Sequence, residues 1–505
     1  MKSRLLLAIF ALACALPMAG SPSFAMAQNL PSLGDTERGE LSPLMERKLG
    51  EQIMHDLRRD RDYLDDAPLL EYLNGFGNAL VATRPEVRGE AGYDYFFFAV
   101  RDSRLNAFAL PGGFIAVHSA LLLAAQNESE LASVLSHEIG HVAQRHIARM
   151  VGQQHQDSLI PLAAAVLAVL ASRASSDVSS ALLLGGQGVA AQRQLNFGRD
   201  AEREADRVGL QIMQTAGFDT SGMISFFRRL QSANRAYSDA TPDFLLSHPL
   251  TTERIADIGA RIRGQHYKQR ADSLDFHLIR ARVRVLQDDS AQGRGDAAAV
   301  FDNQLRQKSR AQTAAAKYGL AFIAFRQGAY AKAQSLLQEA RVAAQGVPSP
   351  SSEGTRSAVL ASLGIDIRLA ANQAAEALKE AETARKQFPL SRGLARQYAQ
   401  ALIEARRYDD AVAYLRDQSQ MYRQEPQLQD LLAKTYAAQG KQALQHLALA
   451  ESYALTGSLP AALEQLSIAR RAPDASYYDQ AVIDAREREL RSRWREEVNE
   501  SRKGQ

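Results

Sequence analysis

The chain has 505 residues, 46% of them hydrophobic and 23% charged, with 60 Lys plus Arg against 57 Asp plus Glu and a single cysteine. At ~100–200 residues per domain, this length implies two to four domains with ample buried core. One cysteine excludes a disulfide framework, Cys-based zinc fingers and iron–sulfur clusters, and a net charge of +3 gives no basis for nucleic-acid binding.

Residues 1–27 read as an export signal. Lys2 and Arg4 form the positive end, Leu5–Leu16 the apolar run, and Ala25-Met26-Ala27 a small-x-small cleavage site before Gln28. A transmembrane anchor would need ~20 apolar residues, and Pro17 and Gly20 interrupt this run. A lipidated Cys14 would need an aliphatic residue where Ala11 stands. Cleavage therefore discards the only cysteine, and export without disulfides points to a bacterial periplasm, with any association with the outer membrane peripheral.

From Leu41 to Ala82 apolar residues recur at helical spacing, as in Leu69, Leu70, Leu73, Phe76 and Leu80. Tyr95–Val100 and Phe114–Val117 are β-formers around Pro111-Gly112-Gly113, which predicts a short sheet with a turn. Asn127, with Glu130 three residues on, caps a helix expected to run to about Met150. Residues 158–172 carry no charge, and at fifteen residues they fall short of a membrane span. They read as a buried helix, or as a mobile, membrane-touching flap near the site. Gly185-Gly186-Gln187-Gly188 marks a break before a helix at about 199–216.

A polar stretch near residues 264–275 separates two halves, and beyond it the chain is Ala/Leu/Gln/Arg-rich helix. Leu320-Ala321, Gly328, Tyr330, Ala333 and Ala340 fall at tetratricopeptide offsets, which Leu449-Ala450, Gly457, Leu459, Ala462 and Ala469 repeat. The key alanines at 333, 377, 411 and 462 are 44, 34 and 51 apart, so only one step equals the ideal repeat. A generic Ala-rich bundle is the plainer alternative. Stacked repeats would make a concave binding surface.

His137-Glu138-Ile139-Gly140-His141 is the H-E-x-x-H pattern on a predicted helix. Its i, i+4 spacing puts both imidazoles on one face, able to share one ion, and Glu138 beside it can take a proton from water. A catalytic zinc usually has three protein ligands. His146 is nearest, but it does not fit the extended H-E-x-x-H-x-x-G-x-x-H spacing and reads as a packed or hydrogen-bonded histidine; His155 reads as exposed. Glu202 and Asp206 share a helical face, so the first can bind metal while the second orients a ligand histidine; Glu204 points away. Alone, this acidic cluster with Arg199, Arg203 and Arg207 would read as a salt-bridged solvent face.

These residues, with Phe197–Arg207, Asn106–Gly113, Ser247-His248-Pro249 and Glu253-Arg254-Ile255, resemble the M48 family of zinc metallopeptidases over about residues 45–265. Gly198 and Ser247 depart from the family's usual Ser and Thr without touching a proposed ligand. The resemblance implies one zinc ion held by His137, His141 and Glu202, Glu138 as general base, and Asp206 behind the ligands. It makes Asn106, Ala107, Phe108 and Ala109 part of an edge strand that receives an extended substrate by β-addition. His248 could stabilise the oxyanion, occupy the open zinc position until substrate displaces it, or simply fix the loop before Pro249.

The expected architecture is a signal (1–27), an α+β metallopeptidase domain, mostly helical with a small sheet (28–268), and an all-α tetratricopeptide-repeat solenoid (269–505). The resemblance implies a periplasmic endopeptidase for unfolded or misassembled envelope proteins. Its repeats would recruit either the substrate or the outer-membrane β-barrel assembly machinery. The rival reading is a chaperone or assembly scaffold whose peptidase site is normally silent. A membrane-integral protease is weakened by the lack of an uncharged span of bilayer length.

Overall fold

The computed structural model describes residues 41–89, 92–152, 188–236, 244, 248–264, 270–306, 309–347 and 356–503. The export signal, the 158–172 segment, His155 and Ser247 lie outside the described residues. The described chain is mostly helical, with one small sheet in its first half.

The helical run expected from Leu41 is two helices, α1 (Pro43–Leu57) and α2 (Ala67–Thr83). Local side chains break it: Asp60 accepts the N–H of Asp62, and Asp66 caps α2 by accepting the N–H of Leu69 at 3.1 Å, with Pro68 in the first turn. A short-chain carboxylate that can bond its own backbone competes with the helix ladder, and proline is tolerated only at a helix start.

Three strands follow, β1 (Phe96–Val100), β2 (Ala107–Leu110) and β3 (Phe114–His118), in the order β1-β3-β2. β3 is buried throughout and pairs parallel with β1 and antiparallel with β2. The β2–β3 turn holds Gly112 and Gly113 at φ 78° and 91°, where a side chain would be strained. β2 is thus an edge strand of the sheet. His118 N–H bonds to Asn106 C=O at 2.9 Å. Antiparallel alternation then turns the backbones of Phe108 and Leu110 toward β3, and those of Ala107, fully buried, and Ala109, half-buried, toward the side that pairs with no strand among the described residues.

After the short α3 (Ser119–Ala124) comes α4 (Glu128–Ala143), capped by Asn127 accepting Glu130 N–H at 2.9 Å. α4 ends earlier than expected. Arg145 takes φ 50° and the chain restarts as α5 (His146–Gly152). α6 (Gly188–Thr215) is longer than expected, because glycine weakens a helix by only about 1 kcal/mol and need not end it. α7 (Ser221–Ala236) and α8 (Thr252–Ile262) complete this half.

Twelve further helices are seen among the described residues: α9 (Leu274–Gln287), α10 (Ala291–Leu305), α11 (Arg310–Arg326), α12 (Tyr330–Ala344), α13 (Ala358–Ala370), α14 (Ala374–Gln387), α15 (Arg392–Glu404), α16 (Tyr408–Met421), α17 (Pro426–Ala438), α18 (Gln442–Leu455), α19 (Leu459–Arg471) and α20 (Tyr477–Lys503). Ala333, Ala377, Ala411 and Ala462 are each fully buried, one turn into α12, α14, α16 and α19. The irregular spacing has a structural cause. A long connection separates α12 from α13, and two helices rather than one lie between α16 and α19.

The hydrophobic core does not stop at the start of the repeats. One cluster runs from Leu64 through Phe226 and Phe276 to Ile367. α9 binds both halves: its buried Arg282 holds the α2 cap Asp66 at 2.8 Å and Tyr318 Oη at 2.9 Å. Farther along, Glu71 of α2 accepts Ser391 Oγ at 2.7 Å, and Arg59, just after α1, donates to Ser458 Oγ at 2.7 Å. The array therefore touches the first two helices at several separated points.

Candidate metal centre and active site

Two helices must lie very close for the site to exist, and glycine allows it. A Cβ at Gly140 of α4 would fall 2.9 Å from the Ala205 backbone of α6, and one at Gly209 would fall 3.1 Å from the His137 nitrogen. With the helices in contact there, His137 and His141 face Glu202 and Asp206 across the seam.

The donor atoms converge. His137 Nε2 lies 3.1 Å from His141 Nε2 and 3.4 Å from Glu202 Oε2, and His141 Nε2 lies 3.3 Å from Glu202 Oε1. His248, on the loop before α8, brings its Nδ1 to 2.9 Å from Glu202 Oε1 and 3.3 Å from His137 Nε2. One ligand atom from each of His137, His141, Glu202 and His248 falls within 4.8 Å of all the others. Three imidazole nitrogens and one carboxylate oxygen, without sulfur, form a donor set that fits zinc. Buried imidazole nitrogens that converge on one another rather than on donors are satisfied by a shared cation.

Behind this layer sits a second. Asp206 Oδ1 lies 3.0 Å from His137 Nδ1, the nitrogen turned away from the cluster. Arg254 of α8 grips both Asp206 oxygens at 2.8 Å and reaches Glu202 Oε2 at 2.7 Å and the Pro249 carbonyl at 2.9 Å. Arg254 thus fixes both carboxylates and the loop carrying His248. Against the cost of burial, the three histidines hold Glu202 well below the usual carboxylate range.

Glu138 is fully buried; among the described residues no side-chain donor lies within hydrogen-bond distance of its carboxylate, and the backbone of Ala109 on β2 faces it. Its nearest basic atom is His248 Nε2, 3.5 Å away. Burial pushes its carboxyl above the ordinary range, a direction suited to exchanging protons near neutral pH. β2 packs directly on α4, which sets Ala109 beside this carboxylate.

The structure brings His137, Glu138, His141, Glu202, Asp206 and His248 together, and sets Asn106–Ala109 alongside. His146 is a hydrogen-bonded histidine, and Glu204 turns away to His146 and Arg149. Sequence reading missed Arg254 as a site residue. Its signal was the Glu253-Arg254-Ile255 motif, which spacing alone cannot tie to Asp206, 48 positions upstream.

A helix-borne pair of histidines facing a carboxylate on a second helix, with a buried glutamate between, defines a metallopeptidase. The family model described as Peptidase family M48 matches residues 81–262, and a tetratricopeptide-repeat model matches residues 368–435. The chain is 32% identical over 472 residues, 93% of each chain, to the β-barrel assembly-enhancing protease of Escherichia coli K12. It is 39% identical over 263 residues to the putative β-barrel assembly-enhancing protease of Vibrio cholerae, covering 51% of this chain and 53% of that one. It is also 31% identical over 172 residues to a mitochondrial metalloendopeptidase of Schizosaccharomyces pombe, 34% of this chain and 48% of the other. The chain belongs to peptidase family M48 and is a metalloendopeptidase followed by tetratricopeptide repeats. No helix among the described residues is long and apolar enough to cross a membrane.

Proposed function

We propose that this is a periplasmic zinc endopeptidase that degrades misfolded or stalled envelope proteins and assists assembly of outer-membrane β-barrel proteins. The observation that carries the catalytic part is the convergence of His137, His141, Glu202 and His248 beside the buried carboxylate of Glu138. The names of the full-length relatives support the biological part, and the readable export signal supports the compartment.

In this reading His137, His141 and Glu202 hold zinc, which supplies Lewis acidity to polarise a scissile carbonyl and to acidify water. The chain's own groups do the rest. The outward N–H and C=O groups of Ala107 and Ala109 pair with an extended substrate and present its backbone to the site. Glu138 accepts a proton from the attacking water and returns it to the departing amide nitrogen. Asp206, held by Arg254, keeps the proton of His137 on Nδ1 and leaves Nε2 free to ligate. His248, whose Nδ1 stands among the ligand atoms, keeps the resting site closed until substrate displaces it. The repeats take protein partners, either the substrate or the β-barrel assembly machinery.

Purified Glu138→Gln should retain zinc and lose cleavage of a denatured protein by at least about a thousandfold, since it removes the proton carrier and leaves the ligands. Wild-type-like cleavage by Glu138→Gln would reject the mechanism. Full rescue of an envelope defect by the same variant would favour the scaffold reading, which the protease names of the relatives do not favour.

A further inference from the structure

His146 is 4% exposed and has no part in the mechanism above, yet both of its ring nitrogens are engaged. Nδ1 lies 2.9 Å from His141 Nδ1, and Nε2 lies 3.0 Å from Glu204 Oε2. Resting on the zinc reading of the site, we propose that His146 and Glu204 are positioning residues for His141, forming a directed hydrogen-bond chain that holds this ligand as the Asp206–Arg254 pair holds His137.

The direction of the chain follows from valence. His141 turns Nε2 to the cluster, so in a neutral ring that ligates through Nε2 the proton sits on Nδ1. An ionised carboxylate only accepts, so Glu204 requires the proton of His146 on Nε2, leaving His146 Nδ1 as an acceptor. Both assignments agree. His141 Nδ1–H donates to His146 Nδ1, and His146 Nε2–H donates to Glu204, which Arg149 Nη2 also holds at 2.8 Å. No other pair of tautomers fills both contacts.

The backbone is arranged to make this contact. Along an uninterrupted helix at 100° per residue, position 146 would point roughly 140° away from position 141. The turn at Arg145, with φ 50°, brings His146 back against the outer edge of His141. A left-handed conformation is unfavourable for a residue other than glycine, and here the Arg145 side chain is anchored on the Leu41 carbonyl and on buried Glu46. The turn and its anchor thus serve ligand geometry, and the position one step from the long zinc-ligand pattern is used to orient a ligand.

The test is zinc affinity of the full-length protein, measured by chelator competition, with the visible absorption of the cobalt-substituted protein as a second readout. His146→Leu should bind zinc about 10–100-fold more weakly, the usual cost of losing such a support. His146→Asn places an amide oxygen where Nδ1 accepts and should recover most of that loss, with a near-normal cobalt spectrum. Thermal melting of the zinc-free proteins separates folding defects from ligand effects. Binding by His146→Leu within threefold of wild type would overturn the proposal, as would equal losses in Leu and Asn variants, which would mark a packing role. Wild-type protein that fails to bind zinc would instead overturn the proposed function beneath it.

Discussion

The α4–α6 seam and the repeat pairs rely on the same device, small residues at points of closest approach, for opposite purposes. In the array, Ala333, Ala377, Ala411 and Ala462 are fully buried and let amphipathic helices nest through their apolar faces. At the seam, Gly140 and Gly209 let two helices close until seven ionisable side chains share one buried volume. In a solenoid each unit answers mainly to its neighbours, so an error stays local. In the site, an ångström of separation alters every donor distance at once.

Variants can break that contrast, and the largest effect is expected from Arg254→Met. It leaves Asp206 and Glu202 buried beside one another without their cation, which should cost about 3–5 kcal/mol in urea unfolding and weaken zinc binding as well. Gly140→Ala comes next. Its Cβ meets Ala205 at 2.9 Å, so the helices must part, at about 1–3 kcal/mol, and chelator competition should show weaker zinc binding. Ala411→Leu overfills a fully buried repeat position at a similar cost of about 1–3 kcal/mol, while cleavage of a short unstructured peptide should stay at the wild-type rate. A loss of peptide cleavage there would show that the array and the site are mechanically coupled.

A smaller effect sharpens the junction. Asp366 on α13 is held up to about 6, first by burial, with Arg282 and Gln397 opposing. Its folded pKa exceeds the unfolded one of about 3.9, so the folded state binds the extra proton. The shift therefore costs stability above about pH 6, and that cost is relieved as pH falls from about 6 toward about 4. Asp366→Asn should raise the melting temperature at pH 8 and flatten this part of the stability profile. The smallest effect belongs to the exposed Lys434–Glu404 pair: Lys434→Ala should change stability by less than about 1 kcal/mol.

Much of this was legible in the residues. His137, Glu138 and His141 declare themselves by local spacing, as does the Asn127 cap, and the four repeat alanines by their recurrence. Element ends were less legible where side chains bond the backbone. Asp66 ended an apparent continuous helix by capping the next, and Arg145 took a left-handed turn because Leu41 and Glu46, about a hundred positions upstream, hold its guanidinium.

The sequence by itself determined which chemistry is available: one cysteine, at position 14, two histidines one helical turn apart with a glutamate between them, and a repeat array built on alanine. Only the tertiary structure decided the supports. Arg254 behind two carboxylates, His146 behind His141, the β2 edge left without a strand partner at Ala107 and Ala109 among the described residues, and a core running unbroken into the repeats all pair residues far apart or across turns. The reason is physical. Periodicity and spacing encode which face of a helix a residue occupies, whereas the partner it meets depends on which other helix can approach that face closely, and that is a property of packing.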